Sequence, residues 1–240
     1  MTRILLVHGS GHGAWCWDAV VPLLRNAGHE AIALDMPGRG ANPIPLATAT
    51  LDDFARSILH VATPGTVLVG HSAGGYAITA AAQSAEDGII ARLIFVCAFV
   101  PEPGQSLADM RRRMTDPPLL GAIRRHEDGT AYSIDADSAA TLFYKGVPPP
   151  LATTASDQLV PEAILPQETP IPDTSRAEAL PRRYILCEKD RVILPELQEQ
   201  MTEDWPAAHV ARMPVGHSPF LADPEGLARR ILTFVDDQDP

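Results

Sequence analysis

Short apolar runs alternate along this chain with longer segments of helical period, and that alternation narrows the folds open to it more than any other feature of the sequence. A strand buried on both faces reads as a near-continuous apolar run. Its parallel neighbour can be reached only through a crossover, usually a helix, so the pattern predicts an α/β fold with a mostly parallel sheet covered by helices on both faces. Strands are expected at Arg3–Val7, Glu30–Leu34, Thr66–Val69, Leu93–Cys97, Arg183–Cys187 and Ala208–Met213. Helices are expected at Trp15–Asn26, Leu51–Val61, Ala73–Ser84, Pro195–Glu203 and Pro224–Val235. Two of these starts carry their own chemistry. Thr50 with Asp53 resembles a capping box, and Asp223 before Pro224 places an acceptor at the N-cap and a donor-free residue at the first helical position. In the last helix Leu227, Ile231, Phe234 and Val235 recur at helical spacing, which marks the face that packs on the sheet.

Between residues 101 and 181 the alternation stops. Roughly half of the 23 prolines fall there and no clear strand run appears. Met110, Met114, Leu119, Leu120, Ile123, Leu142, Phe143, Tyr144, Leu151 and Leu159 still supply apolar surface that needs burial, which a linker or disordered segment would lack. The expected organisation is one core from residues 1–100 and 182–240, with residues 101–181 inserted as a small, mainly helical cap over the sheet. At 240 residues and 45% apolar content, the chain is long enough to bury such a core.

A formal charge of −11 repels phosphate backbones and anionic lipid, so neither nucleic acid nor a membrane is an expected partner. Arg111–Arg113 is the exception, and three adjacent arginines read as a solvated helix face. After Arg3 only four apolar residues precede His8, too few for a signal-peptide core or a membrane span. The expectation is a cytoplasmic monomer or homodimer. Cys16, Cys97 and Cys187 are odd in number and lack C-x-x-C spacing, so they read as buried small side chains, not as a disulfide framework or a zinc site.

The chemistry centres on one junction. Thr66-Val-Leu-Val runs into Gly70-His71-Ser72-Ala73-Gly74-Gly75 and then into an alanine-rich helix, giving G-x-S-x-G between a strand and a helix. Gly70 and Gly74 remove side chains that would collide in so sharp a turn, which leaves the Ser72 hydroxyl exposed above the sheet as a nucleophile. Such a serine needs a base. His217, in Val215-Gly216-His217-Ser218-Pro219, is the late histidine that follows a strand with turn chemistry. His209 falls inside the preceding strand pattern and His71 sits in the tight turn itself, so both read as structural. The base needs a carboxylate to hold its tautomer, and Asp190 follows a strand in the loop Glu188-Lys189-Asp190. Glu188, and more remotely Glu102, are the alternatives.

A tetrahedral oxyanion must be met by preorganised N–H donors. One is the amide of Ala73, directly after the nucleophile; the other is expected from Ser10 in the loop His8-Gly9-Ser10-Gly11-His12-Gly13. That loop contains neither G-x-G-x-x-G nor a Walker lysine and serine, which argues against a nucleotide. His8 and His12 are four apart on a loop, not a helix, so they are expected to brace it and not to ligate a metal. No metal or organic cofactor is expected, and the expected partner is a small molecule.

These residues, His8-Gly-Ser-Gly-His-Gly-Ala-Trp-Cys-Trp17, Gly70-His-Ser-Ala-Gly-Gly75, the late Asp190 and Gly216-His217, resemble the plant methylesterase and hydroxynitrile lyase group of α/β-hydrolases and its bacterial esterase relatives. The resemblance spans both ends of the chain and fades through the cap. It implies a sheet of six strands, with Ser72 as nucleophile, Asp190 as acid, His217 as base, and Ser10 and Ala73 as oxyanion donors. Lyase members have a threonine where this chain has Gly9 and a lysine where it has Ser218, so the resemblance favours ester hydrolysis over cyanohydrin chemistry. It further implies methyl or other small-alcohol esters of apolar or aromatic acids, with Gly9, Trp15, Phe143, Tyr144 and Ser218 as candidate substrate contacts. Two rival readings keep the fold: a non-hydrolytic lyase, cyclisation or rearrangement enzyme, and a catalytically silent small-molecule receptor.

Overall fold

A computed structural model describes residues 1–40, 42, 44–115 and 117–237. In chain order the strands are β1 (Arg3–Val7), β2 (Glu30–Leu34), β3 (Thr66–His71), β4 (Ile90–Val96), β5 (Ile123–Arg125), β6 (Ala131–Ile134), β7 (Glu162–Ala163), β8 (Arg182–Cys187) and β9 (Val210–Met213). The helices are α1 (Val21–Asn26), α2 (Leu51–Val61), α3 (Gly74–Ser84), α4 (Leu107–Arg112), α5 (Ala136–Leu142), α6 (Pro149–Asp157), α7 (Ile164–Glu168), α8 (Ser175–Glu178), α9 (Pro195–Gln200), α10 (Pro219–Ala222) and α11 (Pro224–Asp236).

Six strands form one sheet in the order β2-β1-β3-β4-β8-β9, every neighbouring pair parallel. Alternate residues of each strand serve opposite faces. Leu5, Val7, Leu68, Phe95 and Leu186 pack with α2 and α3, whereas Ile4, Leu6, Val67, Val69, Ile94 and Ile185 pack with Trp17, Leu24 and the α11 stripe of Leu227, Ile231 and Phe234. The strand order reverses direction between β1 and β3. Crevices at the carboxyl ends of strands open at such a switch point, so the loops after β1 and β3 border the place where this fold binds ligands.

The expected caps are present. Thr50 and Asp53 form the reciprocal capping box of α2, and Asp223 accepts from the Gly226 amide at the start of α11. Other boundaries differ. The expected Trp15–Asn26 helix divides into a 3₁₀ turn over Ala14–Trp17 and the short α1 behind Pro22. His209 ends a 3₁₀ turn just before β9 and is not part of the strand.

Residues 101–181 carry α4 to α8 and also a three-stranded antiparallel sheet, β5-β6-β7, which the expectation of no strand run there misses. Strands of three, four and two residues are too short to show a period-2 pattern against a proline-rich background. Met110, Met114, Leu119, Phe143 and Tyr144 join a third apolar cluster with Leu51, Tyr76 and Leu197. Leu120 and Leu151 do not: both are exposed. No helix among the described residues is long and apolar enough to cross a membrane, and the three cysteines are free and buried.

Candidate active site

The turn after β3 is as sharp as its sequence requires. Ser72 has φ of 54°, a left-handed conformation that L residues adopt at a cost of about 1–3 kcal/mol. The crowding around it explains the flanking glycines. A Cβ on Gly70 would lie 2.8 Å from the Gly74 carbonyl oxygen, and one on Gly74 would lie 2.8 Å from that of Val7. The strained serine therefore sits where β3, the start of α3 and the end of β1 meet.

From there the three chemistry-bearing side chains converge. Ser72 Oγ lies 3.0 Å from His217 Nε2, and His217 Nδ1 lies 2.8 Å from Asp190 Oδ2. A carboxylate oxygen only accepts, so Nδ1 carries the proton and Nε2 is left to accept from the serine hydroxyl. Asp190 is fixed through all its lone-pair directions: Oδ1 accepts from the Val192 and Ile193 amides at 2.7 and 3.1 Å, and Oδ2 also accepts from Gln198 Nε2 at 3.2 Å. Glu188 is exposed, and Glu102 pairs with Arg113 at the surface, so neither alternative carboxylate reaches the imidazole.

The backbone of His217 is held as firmly as its ring. His71 Nε2 donates to the His217 carbonyl at 2.7 Å, and Cys97 Sγ donates to the same oxygen at 3.4 Å. Burial and the nearby His217 push the His71 pKa well below its usual value, so the ring is neutral and keeps one N–H for this contact. His71 thus has the structural place expected of it. Phe143 covers His217 with a stacked ring at 5.5 Å.

The loop after β1 supplies the second wall. The Ser10 and Ala73 amides donate to no acceptor among the described residues, and both residues line one cavity of about 20 Å³, room for a single water. Its remaining wall is largely apolar, including Leu51, Phe54, Tyr76, Leu107 and Pro166. His8 and His12 brace the loop as expected. His8 Nδ1 donates to the Gly9 carbonyl and its Nε2 accepts from the Met36 amide; His12 Nδ1 donates to the Ser10 carbonyl and its Nε2 accepts from the Tyr144 hydroxyl at 3.0 Å. Burial lowers both pKa values, that of His12 to about 4, so these rings are neutral braces near neutral pH.

Of the candidate substrate contacts, Gly9 lines the cavity. Trp15 stacks on His12 at 5.3 Å, Tyr144 bonds His12, Phe143 covers His217, and Ser218 is buried with its hydroxyl unpartnered; these four are absent from the cavity wall. Sequence reading missed Gln198 and the pair Arg39–Glu162. Gln198 is fully buried and joins the Cys187 amide, the Ile193 carbonyl and Asp190. Glu162 binds Arg39 and accepts from the Gly11 amide at 2.9 Å. Gln, Arg and Glu are ordinarily surface residues, so no local pattern marks these as buried. Asp190 was chosen for its place after a strand; that an aspartate commonly accepts from amides two and three residues on, as it does here from Val192 and Ile193, is a further signal that went unused.

A parallel sheet of this order, with a serine, an imidazole and a carboxylate in one hydrogen-bonded chain beside its switch point, defines the α/β-hydrolase class. The comparisons agree. A model of the alpha/beta hydrolase family matches residues 4–230, and the chain belongs to that family. Methylesterase 18 of Arabidopsis thaliana is 28% identical over 261 residues, covering 99% of this chain and 98% of that protein. A pyrethroid hydrolase of Sphingobium wenxiniae is 31% identical over 252 residues, covering 98% and 88%. Among solved structures, a pyrethroid hydrolase from Sphingobium faniae superposes with a TM-score of 0.84 at 29% identity, covering 99% of this chain and 98% of that one. Polyneuridine aldehyde esterase, at 24% identity and a TM-score of 0.85, shares the fold.

Proposed function

We propose that this protein hydrolyses carboxylic esters through an acyl-enzyme on Ser72. The observation that carries the reading is the unbroken relay from Ser72 Oγ through His217 to Asp190. Ser72 Oγ attacks the ester carbonyl while His217 Nε2 takes its proton, and the Asp190 carboxylate stabilises the imidazolium. The oxyanion is met by the Ser10 and Ala73 amides. His217 returns the proton to the departing alcohol; it then takes one from water as the water oxygen attacks the acyl carbonyl, and passes that proton to Ser72 Oγ as the acid is released. No step calls for a metal or organic cofactor.

Ester hydrolysis is also what the similar proteins are named for, methylesterase and pyrethroid hydrolase. The apolar side chains beside the Ser10 and Ala73 amides, Leu51, Tyr76 and Leu107 among them, favour an apolar or aromatic acid over a charged one, and the name methylesterase favours a small alcohol. The lyase alternative loses support at Gly9, where a Cβ would stand 2.7 Å from Ser72 Cβ and leaves no room for a hydroxyl-bearing side chain, and at Ser218, which offers no cation for a departing anion.

The test is steady-state hydrolysis of short p-nitrophenyl esters and of methyl esters of aromatic acids. Ser72→Ala should lower kcat by about a thousandfold or more, with the fold intact. Undiminished turnover in that variant would overturn the proposal.

A further inference from the structure

The arginine run of α4 does not behave as one solvated face. Arg112 pairs with Asp109 and Arg113 with Glu102, both at the surface. Arg111 turns inward and is 6% exposed. Its hydrogen bond goes to Gln167 Oε1 at 3.2 Å, a neutral acceptor, and no carboxylate pairs with it among the described residues. A guanidinium is always charged, and burying one without a counter-charge is costly.

Arg111 lines a pocket of about 310 Å³ together with Arg112, Arg125, Tyr132, Gln167 and Glu168. Tyr132 is 3% exposed and its hydroxyl has no hydrogen-bond partner; its polar neighbours are Arg111, Ser10 and Glu162, whose carboxylate is held by Arg39 and the Gly11 amide. Of the three arginines in this wall, Arg112 pairs with Asp109 and Arg125 with Glu168, which leaves Arg111 as the one with no carboxylate within ion-pair distance among the described residues. Arg125 is held at the rim by Glu168. An inward cation without a paired carboxylate, next to a buried phenol that makes no hydrogen bond, suits a group that only accepts hydrogen bonds and carries negative charge.

We infer that this pocket binds a carboxylate or phosphate group, with Arg111 and Tyr132 as its inner donors and Arg125 at the rim. Gln167 also lines the small cavity beside Ser10 and Ala73, so one side chain separates the anion site from the nucleophile's side of the molecule. The anion is either a remote acid group of the ester or a separate small molecule. The first source deepens the ester-hydrolase reading, whereas binding itself is independent of it.

Calorimetric titration of the wild-type protein with inorganic phosphate and with succinate tests the site without reference to turnover. Saturable binding of at least one anion is expected, weakened about tenfold or more in Arg111→Met and severalfold in Tyr132→Phe, with Arg111→Lys between wild type and Arg111→Met. Circular dichroism checks that each variant is folded, and Tyr132→Phe, which removes a single oxygen, keeps the test open if Arg111→Met is not. Kinetics then separates the sources. A preference for monomethyl succinate over methyl butyrate that Arg111→Met abolishes assigns the anion to the substrate; a shift in KM or kcat for a neutral ester on adding phosphate assigns it to a separate ligand. Absence of binding to the wild type, or binding that neither Arg111→Met nor Tyr132→Phe weakens, would overturn the inference.

Discussion

Gly9 approaches Ser72, the proposed nucleophile, so closely that its lack of a side chain decides where that serine can stand. A Cβ there would meet Ser72 Cβ at 2.7 Å and His71 Nδ1 at 3.0 Å, one a backbone-fixed carbon and the other the ring that holds the His217 carbonyl. Gly9→Ala must therefore move the serine, the loop or the brace. Displacements of about 1 Å in a reacting geometry cost about a hundredfold, so kcat for p-nitrophenyl esters should fall by about that factor while the protein remains folded. Unchanged kcat would show that the loop yields without disturbing the nucleophile. At this scale the sequence was most informative where chemistry and backbone geometry coincide. Ser72, His217 and Asp190 each sit in a turn after a strand, and that placement is visible in residue order alone. Gln198, which anchors Asp190 from α9, was not legible, because the burial that gives a glutamine such a role arises from tertiary packing.

At the scale of elements, residues 101–181 clamp the loop after β1. The Val160 amide donates to the Gly11 carbonyl at 2.9 Å, Glu162 on β7 accepts from the Gly11 amide, and Tyr144 reaches His12. Glu162 is in turn held by Arg39, both side chains almost fully buried. Breaking one partner of a buried ion pair costs about 3–5 kcal/mol, whereas replacing both with apolar residues is often near neutral. Glu162→Gln should thus lower stability in urea by about 3 kcal/mol. The double variant Arg39→Leu with Glu162→Leu should regain much of that stability yet keep a reduced kcat, since the Gly11 amide has still lost its acceptor. Recovery of kcat along with stability would make the pair purely structural. None of this clamp was readable from sequence: β7 is two residues long, and Gly11 and Arg39, the partners of its Glu162 side chain, lie more than a hundred residues away in the chain.

For the molecule as a whole, the alternation of apolar runs yielded the six strands of the main sheet with small errors at their ends, because a strand buried on both faces leaves an unmistakable run. The small antiparallel sheet went unseen for the opposite reason, its strands being only two to four residues long. A property of the whole fold follows from its buried histidines. His8, His12 and His71 all have pKa values lowered chiefly by burial, that of His12 from 6.5 to about 4. Above pH 6.5 neither the folded nor the unfolded chain protonates His12. Between that pH and about 4 only the unfolded chain takes up the proton, so this contribution to stability is present above the unfolded pKa and is lost as pH falls. Each such histidine contributes up to about 1.4 kcal/mol per pH unit in that window, and His12 alone about 3 kcal/mol across it. The lowered carboxylate pKa values act below this range. Urea midpoints should therefore drop between about pH 7 and about pH 5; a midpoint flat across that interval would contradict the buried neutral histidines.

Covalent capture at the serine probes the proposed chemistry at its source. Incubated with a fluorophosphonate and analysed by intact-protein and peptide mass spectrometry, the wild-type protein should gain one adduct, located on Ser72, while Ser72→Ala gains none and His217→Ala reacts far more slowly. An unlabelled wild-type protein, or an adduct carried by a different residue, would contradict an activated Ser72.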